Sequence, residues 1–291
     1  MSRPADKAAL YSSQRQRSVL ALPRELLRSR ELLFDLVRKD VRVRYRYAAL
    51  GFVWAVLEPL ALMAVLAFVF SFVLGGRTAL LTGGEGGPPY DVFLLSGLLF
   101  WQFTAVSLGN AAQSILENRN LVQKVAFTRE VLPIASMGYP LLNLGIGIVI
   151  LFALHLGTGG LLGPSLAALP LVFAIQLALT VGVGLFVAWA NALYRDIGYM
   201  LSVAILLGFY ASPVLYPASL VASSGAVPEW AVRCYHLNPM AGLLSAYRTI
   251  LFDGAWPEAS LLAWPAGAAV FMLALGIFTF RRAAPTLSDH L

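Results

Sequence analysis

The sequence predicts an all-α polytopic membrane protein. It has six transmembrane helices, an N-terminal amphipathic interfacial helix, and short re-entrant outer helices between spans five and six. Three observations predict this. Hydrophobic residues make up 59% of the chain and charged residues 12%, whereas a soluble domain carries roughly 25% charged residues. The apolar residues fall into six runs, and the mean hydropathy is +0.75. When six spans are drawn, every Lys and Arg except Arg77, Arg233 and Arg248 falls on one side, as the positive-inside rule requires. Five or seven spans would put Arg281 and Arg282 on the wrong side.

Residues 1–23 read as a flexible, basic cytoplasmic tail with no cleavable leader. Residues 24–50 form the interfacial segment, with a helix over 24–47. Leu27, Phe34, Val37, Val41 and Tyr45 share its apolar face. Arg28, Glu31, Asp35, Arg38, Lys39, Arg42 and Arg46 share the polar one. Arg30, Asp40 and Arg44 interrupt the pattern. Such a helix lies in the membrane surface and meets anionic lipid, or serves as a docking surface.

The first span is expected over 51–75. The run from Ala48 to Gly76 is broken by one acid, Glu58, and at ~1.5 Å per residue it is long enough for the ~30 Å hydrocarbon layer. A Gly/Pro-rich outer loop follows over 76–90. The second span is expected over 91–114, and 117–130 (ENRNLVQKVAFTRE) reads as a polar interval with a short helix against the membrane. The third span covers 131–156, GTGGLLGP is a tight outer loop, and the fourth span covers 165–193. Tyr194-Arg195-Asp196 is a short inner turn before the fifth span, 197–216. In the longer outer segment, Pro228-Glu229-Trp230 and Asn238-Pro239-Met240 look like helix starts, with Asn238 as N-cap. The run 239–252 is too short to span and suits a re-entrant or interfacial helix. The sixth span covers 260–280, within a membrane domain of 51–282, and 283–291 form a cytoplasmic tail.

The net charge of +6 lies mostly before the first span or in short loops. It marks topology, and nucleic acid is not an expected partner. The single cysteine, Cys234, excludes an internal disulfide. His155, His236 and His290 have no metal-ligand spacing. No Gly-Lys dipeptide occurs, so the phosphate-cradling GxxxxGK[ST] loop is absent. No catalytic residues, metal or cofactor are expected on this chain.

Glu58 is the exception within the apolar runs. An acid at that depth costs ~2.5–3.5 kcal/mol or more and should face protein or water. It fits a polar group on a transport path, a partner for an inner arginine, or a hydrogen-bonded group at the kink of Pro59. Trp54, Trp101, Phe103, Tyr139, Trp189, Phe209, Tyr210 and Tyr216 are candidates to line a pathway with Glu58, since aromatic faces stack on sugar rings. Interface-belt or packing roles fit the same residues. Gly145, Gly147, Gly182 and Gly184 fit close helix contacts.

Four stretches carry a family resemblance. In LVRKDVRVRYRYAALGFVWAVLEPL, Arg42 to Tyr47 lead into Leu50-Gly51, Trp54 and Pro59. FLLSGLLFWQF is followed by NRNLVQKVAFTREVLPIA. ALYRDIGYML with SPVLYP is the third stretch, and LNPMAGLLSAYR the fourth. In this order they resemble the permease subunits of type-2 ABC exporters, in the polysaccharide and polyol-phosphate branch, over about residues 35–250. Thr128 departs from the more usual Pro, a local loop change.

The resemblance implies a homodimer forming a channel in the bacterial plasma membrane, with both termini cytoplasmic. It implies two copies of a separate cytoplasmic ATPase, which holds the ATP and Mg. The implied cargo is an undecaprenyl-linked glycan such as an O-antigen, a wall teichoic acid or a galactan. Glu117, Asn118, Arg119, Leu121, Val122, Lys124 and Phe127 would form the coupling helix that seats in the ATPase. Arg38, Arg42, Arg44 and Tyr45, with the loop residues Leu50 and Gly51, would form a gate helix where lipid headgroups enter. Residues 217–252 would form the outer gate. The alternatives are an ABC exporter of small lipids or drugs and a membrane enzyme acting on lipid-linked sugars. The enzyme needs convergent acids, histidines or a metal, which these residues do not assemble.

Overall fold

A computed structural model of the chain describes residues 22–46, 53–73, 87–124, 127–223 and 228–283. These are helical, with no strand among them. Four segments are long and apolar enough to cross a membrane: Tyr90–Glu117, Val131–Gly157, Pro164–Leu193 and Ala259–Arg282. Two shorter apolar helices, Val56–Phe68 and Asp196–Tyr210, occupy the places of the expected first and fifth spans.

The expected interfacial helix is two helices, α1 (Leu22–Arg28) and α2 (Arg30–Tyr45), separated by a turn at Ser29. Leu27 and Phe34 are about 70% exposed, while Leu36 is buried and Leu26, Leu32, Leu33 and Val37 pack beside it on the body. Exposed Leu27 and Phe34 remain on the face expected to meet the membrane surface.

The first long element, α3 (Trp54–Phe68), continues as a π-helical turn over Val69–Val73. α4 (Tyr90–Glu117) follows and is the central helix, with nearly all of its first half buried. After α5 (Arg119–Lys124), the expected third span is interrupted at Ser136–Met137. It consists of α6 (Val131–Ala135) and α7 (Gly138–Gly157). α7 ends on Gly159, whose φ of 85° lets the Gly160 amide donate back to the His155 carbonyl, a left-handed glycine cap.

A 3-10 turn (Pro164–Ala168) leads into α8 (Leu169–Leu193). α9 (Asp196–Tyr210) ends six residues before the expected boundary, in turns over 211–216. α10 (Ala218–Ser223), α11 (Glu229–His236) and α12 (Pro239–Leu251) fill the outer segment. As the sequence predicts, the Asn238 side chain caps α12 by accepting from the Met240 amide at 3.0 Å. The last helix is α13 (Ala259–Ala283).

α8 and α13 form the most extensive helix pair. Glycine permits it: a Cβ at Gly276 would land on the Gly182 carbonyl, and one at Gly182 on the backbone of Met272 and Leu273. Small residues allow such close approach where apolar lipid supplies no drive for association. Gly147 and Gly184 also sit against side chains, of Leu99 and Met137. Gly145 faces open space.

Two apolar clusters occupy opposite ends of this bundle. One gathers the first half of α4, α12 and the first half of α8. The other gathers the ends of α4, α8 and α13 with α2 and α6.

Candidate functional site

α12 is held between the long helices by a buried polar network. Gln176 of α8 has no exposure. Its Nε2 donates to the Phe100 carbonyl at 2.7 Å and to Thr104 Oγ1 at 2.9 Å. The Tyr247 hydroxyl of α12 donates to its Oε1 at 2.7 Å. The Tyr247 ring lies parallel to Phe100 with centroids 3.5 Å apart. Near the end of α12, Arg248 is buried without an acidic partner among the described residues. Its guanidinium donates to the Val214 carbonyl at 2.8 Å and the Tyr216 carbonyl at 3.2 Å, and lies 3.6 Å from the centroid of Phe93. Charge-assisted bonds to carbonyls and an aromatic face replace its hydration, so the turns after α9 are tied to α4 and α12. Around them, Tyr90 donates to the Leu215 carbonyl and Ser165 to that of Ile250.

The opposite end carries the residues expected to couple to a partner. Arg281, at the end of α13, reaches two acids. It contacts Glu25 of α1 at 2.8 Å and Glu130, just before α6, at 3.0 Å, and all three side chains are about nine-tenths buried. Glu25 and Arg281 stand near the two ends of the described chain, so both ends lie at this one pole. Lys39 of α2 donates to Asn118 Oδ1 at 2.8 Å, and Asn118 donates to the Ser114 carbonyl as α4 ends.

α5 therefore sits beside α2. Val122 is buried, and Leu121 and Phe127 pack on the same inner cluster. Glu117, Arg119 and Lys124 are exposed. Arg38, Lys39 and Arg42 of α2, with Arg46 just after it, line an open groove with Asp35. The exposed members of the expected coupling set, Glu117, Arg119 and Lys124, thus share one pole with the basic groove of α2, whereas Val122 is buried. Leu50 and Gly51 lie outside the described residues, as does the side chain of Tyr45.

Of the candidate path residues, Glu58, Phe103 and Tyr139 line one cleft, and Trp101, Phe209, Tyr210 and Tyr216 neighbour one another. Phe103 is enclosed between α4 and α8 against Phe173. Trp101 is buried edge-on to Phe209, at a point where Gly208 of α9 leaves room for its indole. Trp189 is half-buried beside Phe186. Tyr216 donates to the Tyr210 carbonyl at 2.8 Å. Trp54 and Tyr210 are exposed on α3 and α9, beside other exposed apolar residues, Val65 and Phe68 on one and Val203, Leu206 and Leu207 on the other.

Glu58 opens onto a small cleft between α2, α3, α4 and α7. Tyr139 forms part of its wall, with Arg44 lying 4.2 Å over its ring and Asn143 donating to its hydroxyl at 2.7 Å.

Sequence reasoning assigned no role to Glu25, Glu130, Gln176 or Arg248. An available signal was their type: each is a polar residue within or next to an apolar run, where burial demands a partner. Among the described residues, no three His, Cys, Asp or Glu side chains gather to hold a metal.

Known proteins match over most of the chain. A family model described as ABC-2 type transporter matches residues 31–252. An "O-antigen export system permease protein RfbA" of Myxococcus xanthus is 31% identical over 266 residues, covering 91% of this chain and 97% of that protein. Proteins of the same description from Klebsiella pneumoniae are 29% identical over 229 residues and 27% over 227. Each covers 77% of this chain and 81% of its own length.

Proposed function

Since this chain belongs to the ABC-2 type transporter family, we propose that it is the membrane subunit of an ATP-driven exporter of undecaprenyl-linked polysaccharide. Two copies form the channel in the bacterial plasma membrane, and each crosses the bilayer six times with both termini cytoplasmic. Two copies of a separate ATPase bind the pole formed by α1, α2, α5 and the end of α13. The GxxxxGK[ST] loop missing here belongs to that partner. The O-antigen permeases named above support the glycan cargo.

The observation that carries the reading is the surface at the Arg281 pole. Exposed Glu117, Arg119 and Lys124 of the short polar segment stand beside the basic groove of α2, and the Lys39–Asn118 bond joins the two. A push on α5 is therefore passed to α2 and, through Glu130 and Arg281, to the last helix. ATP binding closes the ATPase pair, and this movement reaches the first and fifth spans. The lipid-linked end of the cargo enters near α2, and the glycan advances stepwise between the two copies. α12, fixed by Gln176 and Arg248, serves as a re-entrant outer gate.

Affinity purification of the detergent-solubilised chain from its native host, with mass spectrometry of bound proteins, tests this. A stoichiometric soluble subunit carrying a GxxxxGK[ST] loop is expected. Recovery of the chain alone, or with glycosyltransferases only, overturns the exporter.

A further inference from the structure

The pair α1–α2 is tied to the body at its start, its middle and its end. At the start, Glu25 meets Arg281 of α13 at 2.8 Å, with both side chains about nine-tenths buried. In the middle, Val37 lies over Gly138, where α6 gives way to α7. A Cβ at Gly138 would collide with the Val37 methyl groups, so glycine keeps this seat open. Two residues further on, Lys39 donates to Asn118 Oδ1 as α4 ends. In the last turn, Arg44 lies 4.2 Å over the ring of Tyr139 on α7. Between these points Leu26, Leu32, Leu33 and Leu36 pack into the inner cluster with Val131 and Leu132 of α6 and Phe280 of α13. The next helix along the chain packs elsewhere: Leu60, Met63 and Leu66 of α3 lie on the outer cluster.

We propose that α1 and α2 are a fixed brace. They stay seated on α7 and the end of α13 throughout the transport cycle, and the interfacial helix does not swing away to admit cargo. A swing would lift Leu32, Leu33, Leu36 and Val37 off the inner cluster and part a buried ion pair, and both are costly. Held at its start, middle and end, α2 has no free arm to act as a lever. The boundary between moving parts therefore falls after α2, where the chain passes from the inner cluster to the outer one, and α3 moves against the brace. The proposal rests on the exporter reading, which supplies the cycle.

The seat itself supplies the test. Val37 Cβ lies 3.2 Å from the position of a Cβ at Gly138, near the roughly 3.5–4.5 Å that a disulfide spans. Val37→Cys and Gly138→Cys are combined in a Cys234→Ser background, and the full chain is purified with its ATPase in lipid nanodiscs. The rate of disulfide formation under mild oxidation is measured without nucleotide, with a non-hydrolysable ATP analogue, and with ATP and vanadate. That rate follows the fraction of time α2 is seated, so it should agree within about twofold in all three states. A larger change with nucleotide, or no disulfide at all, overturns the brace. A second pair leaves the seat intact: spin labels at Leu27→Cys and Phe278→Cys, both exposed, in complexes diluted with unlabelled chain. Their separation should be the same in the three states, and a shift with nucleotide overturns the brace. A preparation that retains no ATPase overturns the exporter reading and the brace with it, whereas nucleotide dependence in a complete complex overturns the brace alone.

Discussion

Gln176 and Arg281 are single side chains on which several helices depend. Gln176 serves α4 and α12 at once, so Tyr247→Phe removes one bond and should cost about 0.6–2 kcal/mol. Gln176→Leu also strands the Tyr247 hydroxyl and should cost more, since an unmet buried polar group is penalised in full. Thermal unfolding in detergent should rank wild type above Tyr247→Phe and Tyr247→Phe above Gln176→Leu. Arg281→Gln removes the cation that bridges buried Glu25 and Glu130, a loss of roughly 3–5 kcal/mol. The neighbouring Arg282 is exposed, and Arg282→Gln should change stability by less than about 0.5 kcal/mol. Equal effects at 281 and 282 in the same melts would refute this account of the triad.

At the scale of the element, α5 divides into an outward face and an inward one, and this decides which variants test coupling. Arg119 and Lys124 face out. Arg119→Glu or Lys124→Glu should lower ATPase stimulation by the membrane subunit and stop export, with the amount inserted unchanged. Unchanged ATPase stimulation in both would remove α5 from the coupling path. Leu121 and Val122 face the inner cluster, so an acid at either site injures the fold itself and is a poor test of docking. α2 teaches the same lesson from the other direction. Its helical spacing was legible, but Leu27 and Phe34 point away from the body while Leu36 enters it.

For the whole molecule, the homodimer proposed above would place the second copy against the exposed faces of α3 and α9. In a Cys234→Ser background, Val203→Cys on exposed α9 should give a disulfide-linked dimer under mild oxidation in native membranes. A cysteine at exposed Leu161, in the loop after α7, should not. Crosslinking from Leu161 alone would move the interface to the other side of the bundle. Gly276→Leu should part α8 from α13, because its side chain meets the Gly182 backbone rather than a movable side chain. It should reduce folded yield more than Gly145→Leu, where space is open.

The sequence by itself determined the helical membrane class, the approximate ends of the four long helices and the capped start of α12. Each follows from local information: hydropathy over a run of residues, charge at its ends, or an Asn-Pro pair. Tertiary structure alone decided which face of α2 packs, that Phe103 is enclosed while Trp54 is exposed, and that Glu25 meets Arg281 across 256 residues of chain. Short-range patterns record how a segment meets water or lipid. They do not record which distant polar group will satisfy a buried one, because that partner is chosen only when the helices pack.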